Sequence, residues 1–509
     1  MNKVFYALAT LFLPAALHAA DPIELEYHAS LTAQTSSQRL APYMIGSWTQ
    51  GRYSQGNGIW QEGGIFKELN MNRRFSWGAG FEYIVGVGSE KAYDRWDENL
   101  KSWSFNRVGV SNGRIQQLFA EIKFRAVYLT VGMKNRGSLI VDDNLSSGDF
   151  TRSTNARAIP GVSGGFLDFQ NIPFTKGWVQ IDGELMFGKM FDNGFKTGMF
   201  NHYVGLLALG NYYTYQRCYF RTKPSEPFSI TIGLQAGGFF AADSHNYYNG
   251  TQYKETIRHF NLKDLFHMWV PMQEGDSYYN GAHCGSWDFK ARYNFKNGST
   301  LSAYFEWPWE DGSGIGRMNG WDGIWGLQYN FKDKGIISKI VVEYIDFTNQ
   351  SGPMHYAPLD WSKPMLDGHA SGGDSYYTNF EYGPYSNYGM SIGSPFLVSP
   401  IYNTIGELTY LHNRAKGFHL AVEGNPSARW SYRAKISYQR AGGNVQYILP
   451  KFYNNTSAFV EATVSPLRRI PNATVTLQLA LDHGDLRGNN LGALLRFNYS
   501  GNLSLNKQK

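Results

Sequence analysis

Two stretches of this sequence hold side chains suited to gripping a sugar chain. Flat aromatic rings can lie against the apolar faces of pyranose rings, while carboxylates, amides, imidazoles and guanidinium groups reach hydroxyls or acidic substituents. Residues 349–405 carry His355, Tyr356, Trp361, His369, Asp374, Tyr376, Tyr377, Tyr382 and Tyr385; residues 240–284 carry His245, Tyr247, Tyr248, Trp269, Tyr278 and Tyr279. The same rings have a plainer use, which is to pack these segments into a lid over whatever they connect.

A second set of side chains is charged and regularly spaced: Asp182, Glu184, Asp288, Lys290, Arg292, Glu306, Arg433, Lys435 and Arg496. Each falls on the polar side of an alternating run, so all are expected to face one enclosed space. Both signs are interspersed there, which favours pairing and filling over a selective solute path.

Metal and catalytic chemistry is thin. No Cys or His spacing fits zinc, no acidic twelve-residue loop fits calcium, and the glycine-rich stretch at 311–316 is not followed by a phosphate-binding lysine. Asp482, His483 and Asp485 read as a tight turn. No metal, cofactor or catalytic residue is expected.

The elements that position these groups are strands. In 285–295 the odd positions Trp287, Phe289, Ala291, Tyr293 and Phe295 are apolar and the even ones are Ser, Asp, Lys, Arg and Asn. This is the period of two that puts one class of side chain on each face of a sheet. Tyr432, Ala434, Ile436 and Tyr438 repeat it opposite Arg433 and Lys435. So do Val475, Leu477, Leu479 and Leu481, and Val179, Ile181, Leu185 and Phe187 opposite Gln180, Asp182 and Glu184. The runs reach about ten residues, the length a tilted strand needs to cross a bilayer. Strands are expected at 23–34, 59–69, 74–87, 114–124, 127–134, 159–169, 176–188, 212–222, 228–239, 285–296, 299–308, 321–332, 337–348, 406–424, 430–441, 454–465, 472–483 and 490–500.

These make about eighteen, with tight turns after most even strands and long loops after most odd ones. That segregation is the habit of outer-membrane barrels. The expected fold is therefore an all-β transmembrane antiparallel barrel over residues 21–500, with apolar residues toward lipid and charges toward the lumen. A local helix is expected in 240–284, where Ile257, Phe260, Leu265, Phe266 and Trp269 precede Pro271. Residues 501–509 read as a polar tail.

Composition agrees. Of 509 residues only 17% are charged while 16% are aromatic, with 56 Gly and 19 Pro, which excludes disorder. Past the N-terminus no apolar run is long enough for a spanning helix. Residues 1–20 have the layout of a cleaved signal peptide: Lys3, the apolar stretch 4–17, then Ala19 and Ala20. The net charge of +6 comes from scattered residues, which excludes a nucleic-acid face. Cys218 and Cys284 fall on strands separated by one other and are expected to be free thiols.

Several stretches resemble the capsule assembly Wzi family: RFSWGAG at 74–80, QQLFAEIKF at 116–124, LSSGDFTRSTNARAIP at 145–160, SGPMHY at 351–356, SPIYN at 399–403 and LDHGDLRGNN at 481–490. The resemblance implies an eighteen-stranded outer-membrane lectin that holds capsular polysaccharide on the cell, without catalysis. Enteric members carry a periplasmic helical bundle ahead of the barrel, whereas here Ile23, Leu25, Tyr27, Ala29 and Leu31 alternate as a strand would. The expectation is a monomer whose partners are outer-membrane lipid and capsular polysaccharide. The alternative is a channel for small acidic solutes.

Overall fold

The computed structural model describes residues 23–108, 113–270, 281–310, 319–350, 375–444, 448–467 and 470–505. The expected signal peptide lies outside them. So do His355, Tyr356, Trp361, His369, Asp374, Tyr278 and Tyr279.

The alternating runs form a closed antiparallel barrel of 18 strands. These are β1 (Ile23–Ser36), β2 (Gly58–Lys67), β3 (Phe75–Gly88), β4 (Gly113–Phe124), β5 (Val127–Met133), β6 (Gly161–Phe166, resumed at Gln170–Asn171), β7 (Val179–Lys189), β8 (Tyr212–Thr222) and β9 (Phe228–Phe240). They continue as β10 (Ala282–Asn294), β11 (Thr300–Trp309), β12 (Gly323–Asn330), β13 (Lys339–Asp346), β14 (Ala415–Ser427), β15 (Trp430–Gly443), β16 (Ile448–Val464), β17 (Ala473–Gly484) and β18 (Asn490–Leu505). Each pairs with its neighbour in sequence, and β1 closes on β18 in a register running from Ile23↔Leu505 to Ser36↔Gly492.

Three boundaries differ from the sequence expectation by more than three residues, one of them the start of β16 at Ile448 rather than 454. β18 runs to Leu505 because β1 supplies a partner that far, so the polar-looking residues 501–505 belong to the wall. β14 begins at Ala415 and not at 406, because 406–414 closes an inward-folded loop.

The outward face is apolar along the whole wall: Leu185, Ile232, Phe289, Leu327, Ile436, Val460, Leu479 and Leu495 are all exposed. No water-soluble protein leaves so continuous a belt uncovered; on a barrel it is the lipid-facing surface. Exposed aromatics edge the belt at the short-turn end, among them Phe75, Phe124, Trp178, Phe228, Tyr293, Phe331 and Trp430. The turns there are as short as 125–126 and 428–429. In 295–299 the chain reverses through Gly298 at φ +87, a left-handed conformation that costs glycine little.

The interior is filled. Segments 37–57, 134–160, 190–211 and 375–414, all leaving the long-loop end, contribute the residues that pack inside and over the lumen. Ile140, Phe150, Tyr376, Tyr377, Phe396 and Leu397 meet wall residues Tyr213, Tyr215, Tyr219, Tyr304 and Ile324 in one apolar cluster. Gly237 in β9 permits this, since a methyl group there would collide with the Tyr385 hydroxyl. The short helix α1 (Tyr43–Gly46) is buried in the same way.

Candidate functional site

Above the long-loop end, Lys91–Val108 form a hairpin rather than a loose loop. Lys91–Asp97 pairs with Ser102–Val108, and the register places Trp96 opposite Trp103. Directly paired side chains share a face, and the two rings meet edge-on with centroids 5.5 Å apart. Tyr203 joins them at 5.2 Å from Trp96 and 4.8 Å from Trp103.

Tyr203 is placed by a turn that Asn201 organises. The Asn201 Oδ1 accepts hydrogen bonds from the backbone N–H of Tyr203 at 2.8 Å and of Val204 at 3.1 Å. Its carbonyl accepts from the Trp96 N–H at 2.8 Å, tying hairpin to turn. Gly250, in left-handed conformation at φ +74, donates to the Tyr203 carbonyl at 2.9 Å, and any Cβ there would strike the Trp96 indole. At the root of the hairpin the buried Lys91 ammonium donates to the carbonyls of Ile401 and Asn403. Burial pushes this amine down to about 7.

The result is an aromatic floor with Trp103 half exposed, beside exposed Phe105 and Leu100. Asp94, Glu98, Lys101 and Arg107 are exposed around it. Flat rings beside ionised side chains can stack on a sugar face and bond its hydroxyls or carboxylates.

Of the sequence-level candidates, Tyr247 and Tyr248 lie next to this floor, on a small sheet of Gly205–Leu209, Asp243–Tyr248 and Thr251–Thr256. Tyr247 packs on Phe200 and His202 with centroids 5.3 Å and 5.6 Å away; Tyr248 is exposed. Tyr376 and Tyr377 are interior residues. Tyr377 stacks at 4.9 Å from Phe150, and the Tyr376 hydroxyl donates to Asp322 Oδ2 at 3.2 Å. With both rings 1% exposed, neither offers a face to a ligand, and packing is their role in this fold. Trp269 lies near the long-loop end but on the outer wall and not in the lumen, its indole N–H reaching the Met186 carbonyl at 3.4 Å. Trp96, Trp103 and Tyr203 escaped the sequence reading, which took 88–113 as one loop. The signal was present in two short strand-like runs flanking the turn DENLK at 97–101.

The charged residues lie on the inward-facing side of their strands. Asp182 accepts from Arg217 Nε at 2.8 Å, Tyr219 donates to Asp288 Oδ2 at 2.5 Å, and Arg433 Nη2 pairs with Glu461 at 2.9 Å. Lys290 Nζ donates to the Ile140 carbonyl at 2.5 Å, and Lys435 Nζ sits 3.8 Å over the Trp48 ring. The Phe150 N–H donates to Glu306 at 3.4 Å. Arg292 is the outlier, exposed near the short-turn end of β10. Glu184 receives Arg152 Nη1 at 3.0 Å and Arg217 Nη1 at 2.9 Å. A polar cavity of about 500 Å³ remains beside the 37–57 segment, lined by Arg52, Arg433, Lys435 and Arg496 together with Glu62, Glu82 and Glu461. Arg52 bonds both Glu62 at 3.2 Å and Glu82 at 2.8 Å, and Arg496 reaches Glu62 at 3.8 Å. Both cysteines are free. Cys218 lies on the outward face and Cys284 inside, so no bond could join them.

No protein-family model matches this chain, and no curated protein matches it. Among solved structures it is similar to Wzi of Escherichia coli, described as a carbohydrate-binding outer-membrane β-barrel involved in group 1 capsule assembly. That likeness covers 96% of this chain and 86% of the other, at 11% identity and a TM-score of 0.52. OccAB2 of Acinetobacter baumannii is 8% identical, over 94% of this chain and 98% of its own, at a TM-score of 0.47. OprD of Pseudomonas aeruginosa is 8% identical, over 96% and 97%, at 0.44. At such identities the likeness is one of fold: an eighteen-stranded outer-membrane barrel.

Proposed function

We propose that this protein is a non-enzymatic, monomeric outer-membrane lectin whose extracellular loops bind capsular polysaccharide and retain it at the cell surface. The observation that carries the reading is the Trp96–Trp103–Tyr203 floor, with the Trp103 ring half exposed and the cluster fixed from below by Asn201, Gly250 and Lys91. The filled lumen supports a binding role over bulk transport. The fold shared with a carbohydrate-binding barrel, and the ordered motifs at 145–160 and 399–403, point the same way.

The test is Trp103→Ala, alone and with Tyr203→Ala. Purified capsular polysaccharide should bind the single variant about tenfold more weakly, a loss of roughly 1.4 kcal/mol. Cells carrying the double variant should shed capsule into the medium while barrel levels in the membrane stay constant. Unchanged affinity and unchanged retention would remove this surface from the function.

The cavity lined by Arg52, Arg433, Lys435 and Arg496 favours a second reading, a channel for small acidic solutes. Glu62, Glu82 and Glu461 oppose it by balancing those cations in place.

A further inference from the structure

The helix in the β9–β10 connection, α2 (Leu262–Trp269), lies on the outside of the barrel. Its buried residues Leu265 and Met268 cover Phe240, with Phe187, Tyr212 and Trp269 packed alongside. Phe187, Tyr212 and Phe240 all belong to the outward face, at the long-loop ends of β7, β8 and β9. The wall beneath is cut to receive a helix: Gly238 would collide with Met268 if it carried a Cβ. Outward-facing Gln216 donates to the Trp269 carbonyl at 3.1 Å, and His283 Nε2 lies 3.3 Å from the Met268 carbonyl. Phe260, just before the helix, stacks at 5.0 Å from Tyr212 and 5.5 Å from Phe187.

A helix docked in water would show a polar face opposite its docked one. This helix shares its undocked side between polar and apolar residues. Leu262 and Phe266, one turn apart, form a stripe that Val270 continues at the C-cap, and they are 72%, 55% and 44% exposed. The polar residues Lys263, Asp264 and His267 occupy the remaining arc. Three sectors thus run side by side along one helix: barrel-facing, apolar and uncovered, and polar. That division suits a helix lying along the wall at a boundary between hydrocarbon and water. Its uncovered apolar stripe is continuous with the lipid-facing belt of Leu185, Ile230, Ile232 and Phe289 on the strands below.

We infer that α2 is seated in the outer leaflet of the membrane, with Leu262, Phe266 and Val270 in the acyl region and Lys263 turned to the headgroups. The occupant of the stripe is lipid. The element holds the sheet bearing Tyr247 and Tyr248 at a fixed height over the bilayer, since Thr251–Thr256 joins it through the five residues 257–261.

Spin labels test this in proteoliposomes of phosphatidylethanolamine and phosphatidylglycerol. Leu262→Cys, Phe266→Cys and Lys263→Cys are made with Cys218 and Cys284 replaced by serine, using Ile232→Cys as the lipid reference and Tyr253→Cys as the water reference. At 262 and 266 oxygen collisions should exceed those of a water-soluble nickel complex, as at 232; at 263 the order should reverse, as at 253. Nickel access at 262 and 266 would overturn the inference. So would exclusion of both reagents with dipolar broadening, which would mean a second copy covers the stripe. If the serine variant fails to fold, a benzophenone side chain at 266 in the natural chain replaces the label. Crosslinking to lipid as efficient as at 232 supports the inference; crosslinking to a second chain, or none while 232 reacts, defeats it.

Discussion

Glu184 shows how much of this molecule rests on single inward-facing groups. It belongs to β7, yet it binds Arg217 of β8 and, from the 134–160 segment, Arg152 at 3.0 Å and Arg136 at 3.7 Å. The Arg152 guanidinium also lies 3.6 Å from the Tyr215 ring centroid. Removing one partner of a buried ion pair leaves the others uncompensated, at about 3–5 kcal/mol. Glu184→Ala should therefore release the 134–160 segment, seen as faster hydrogen exchange over 145–157, while Glu184→Gln keeps part of the bonding and exchanges less. His412, packed 5.8 Å from Tyr453 in the loop before β14, gives a pH-dependent counterpart. Burial first, and then the Arg487 charge, push its imidazole down to about 4. Free histidine protonates near 6.5, so the undocked loop takes up the proton first, and docking weakens as pH falls from about 6.5 to 4. Protection factors over 408–414, which remove the intrinsic pH dependence of amide exchange, should fall from pH 7.5 to 5, and His412→Phe should abolish that fall. That Glu184 faces inward was legible from its alternation with Leu185. Its partner Arg152 was not, because a segment without a period gives no direction.

At the scale of elements, each strand sorts its residues between lipid and lumen. Ile232 is exposed on the outward face of β9, near its middle. Ile232→Arg should lower barrel stability by about 2–4 kcal/mol, the range for a cation at the bilayer midplane. Ile232→Leu should be close to neutral, with urea midpoints in lipid vesicles as the measure. Equal midpoints for the two variants would mean that this face does not meet hydrocarbon. The strand boundaries that sequence placed furthest off, at 406, 454 and 500, are places where pairing with a partner set the end: β18 continues because β1 does, and β16 starts early because Ile448 pairs with Gly443 of β15. The helix expected among Ile257, Phe260, Leu265, Phe266 and Trp269 formed only from Leu262. Asn261 caps it there, its Oδ1 accepting from the Lys263 N–H at 2.9 Å.

For the whole molecule the filled lumen has an electrical consequence. The buried segment 140–156 crosses the space a solute would use, with Ile140, Leu145, Phe150, Thr151 and Asn155 fully buried. In planar bilayers the intact protein should show no steady open-pore current. Replacing 140–156 with a flexible glycine-serine linker of equal length should produce one, with the barrel still resistant to unfolding in detergent. A steady current from the intact protein, narrowed by a small acidic solute, would favour the channel reading over the lectin.

Sequence by itself determined the strands, their order and which side of each meets hydrocarbon, because pleating makes these properties repeat every second residue and belong to each segment alone. It also located the loops where aromatics gather. Only the tertiary structure decided that 134–160 and 375–414 turn inward, that Tyr376 and Tyr377 are spent on packing, and that Tyr203 joins the Trp96–Trp103 pair. Those outcomes depend on contacts between residues remote in the chain, such as Tyr385 against Gly237 or Asn201 against Trp96. No local pattern encodes them.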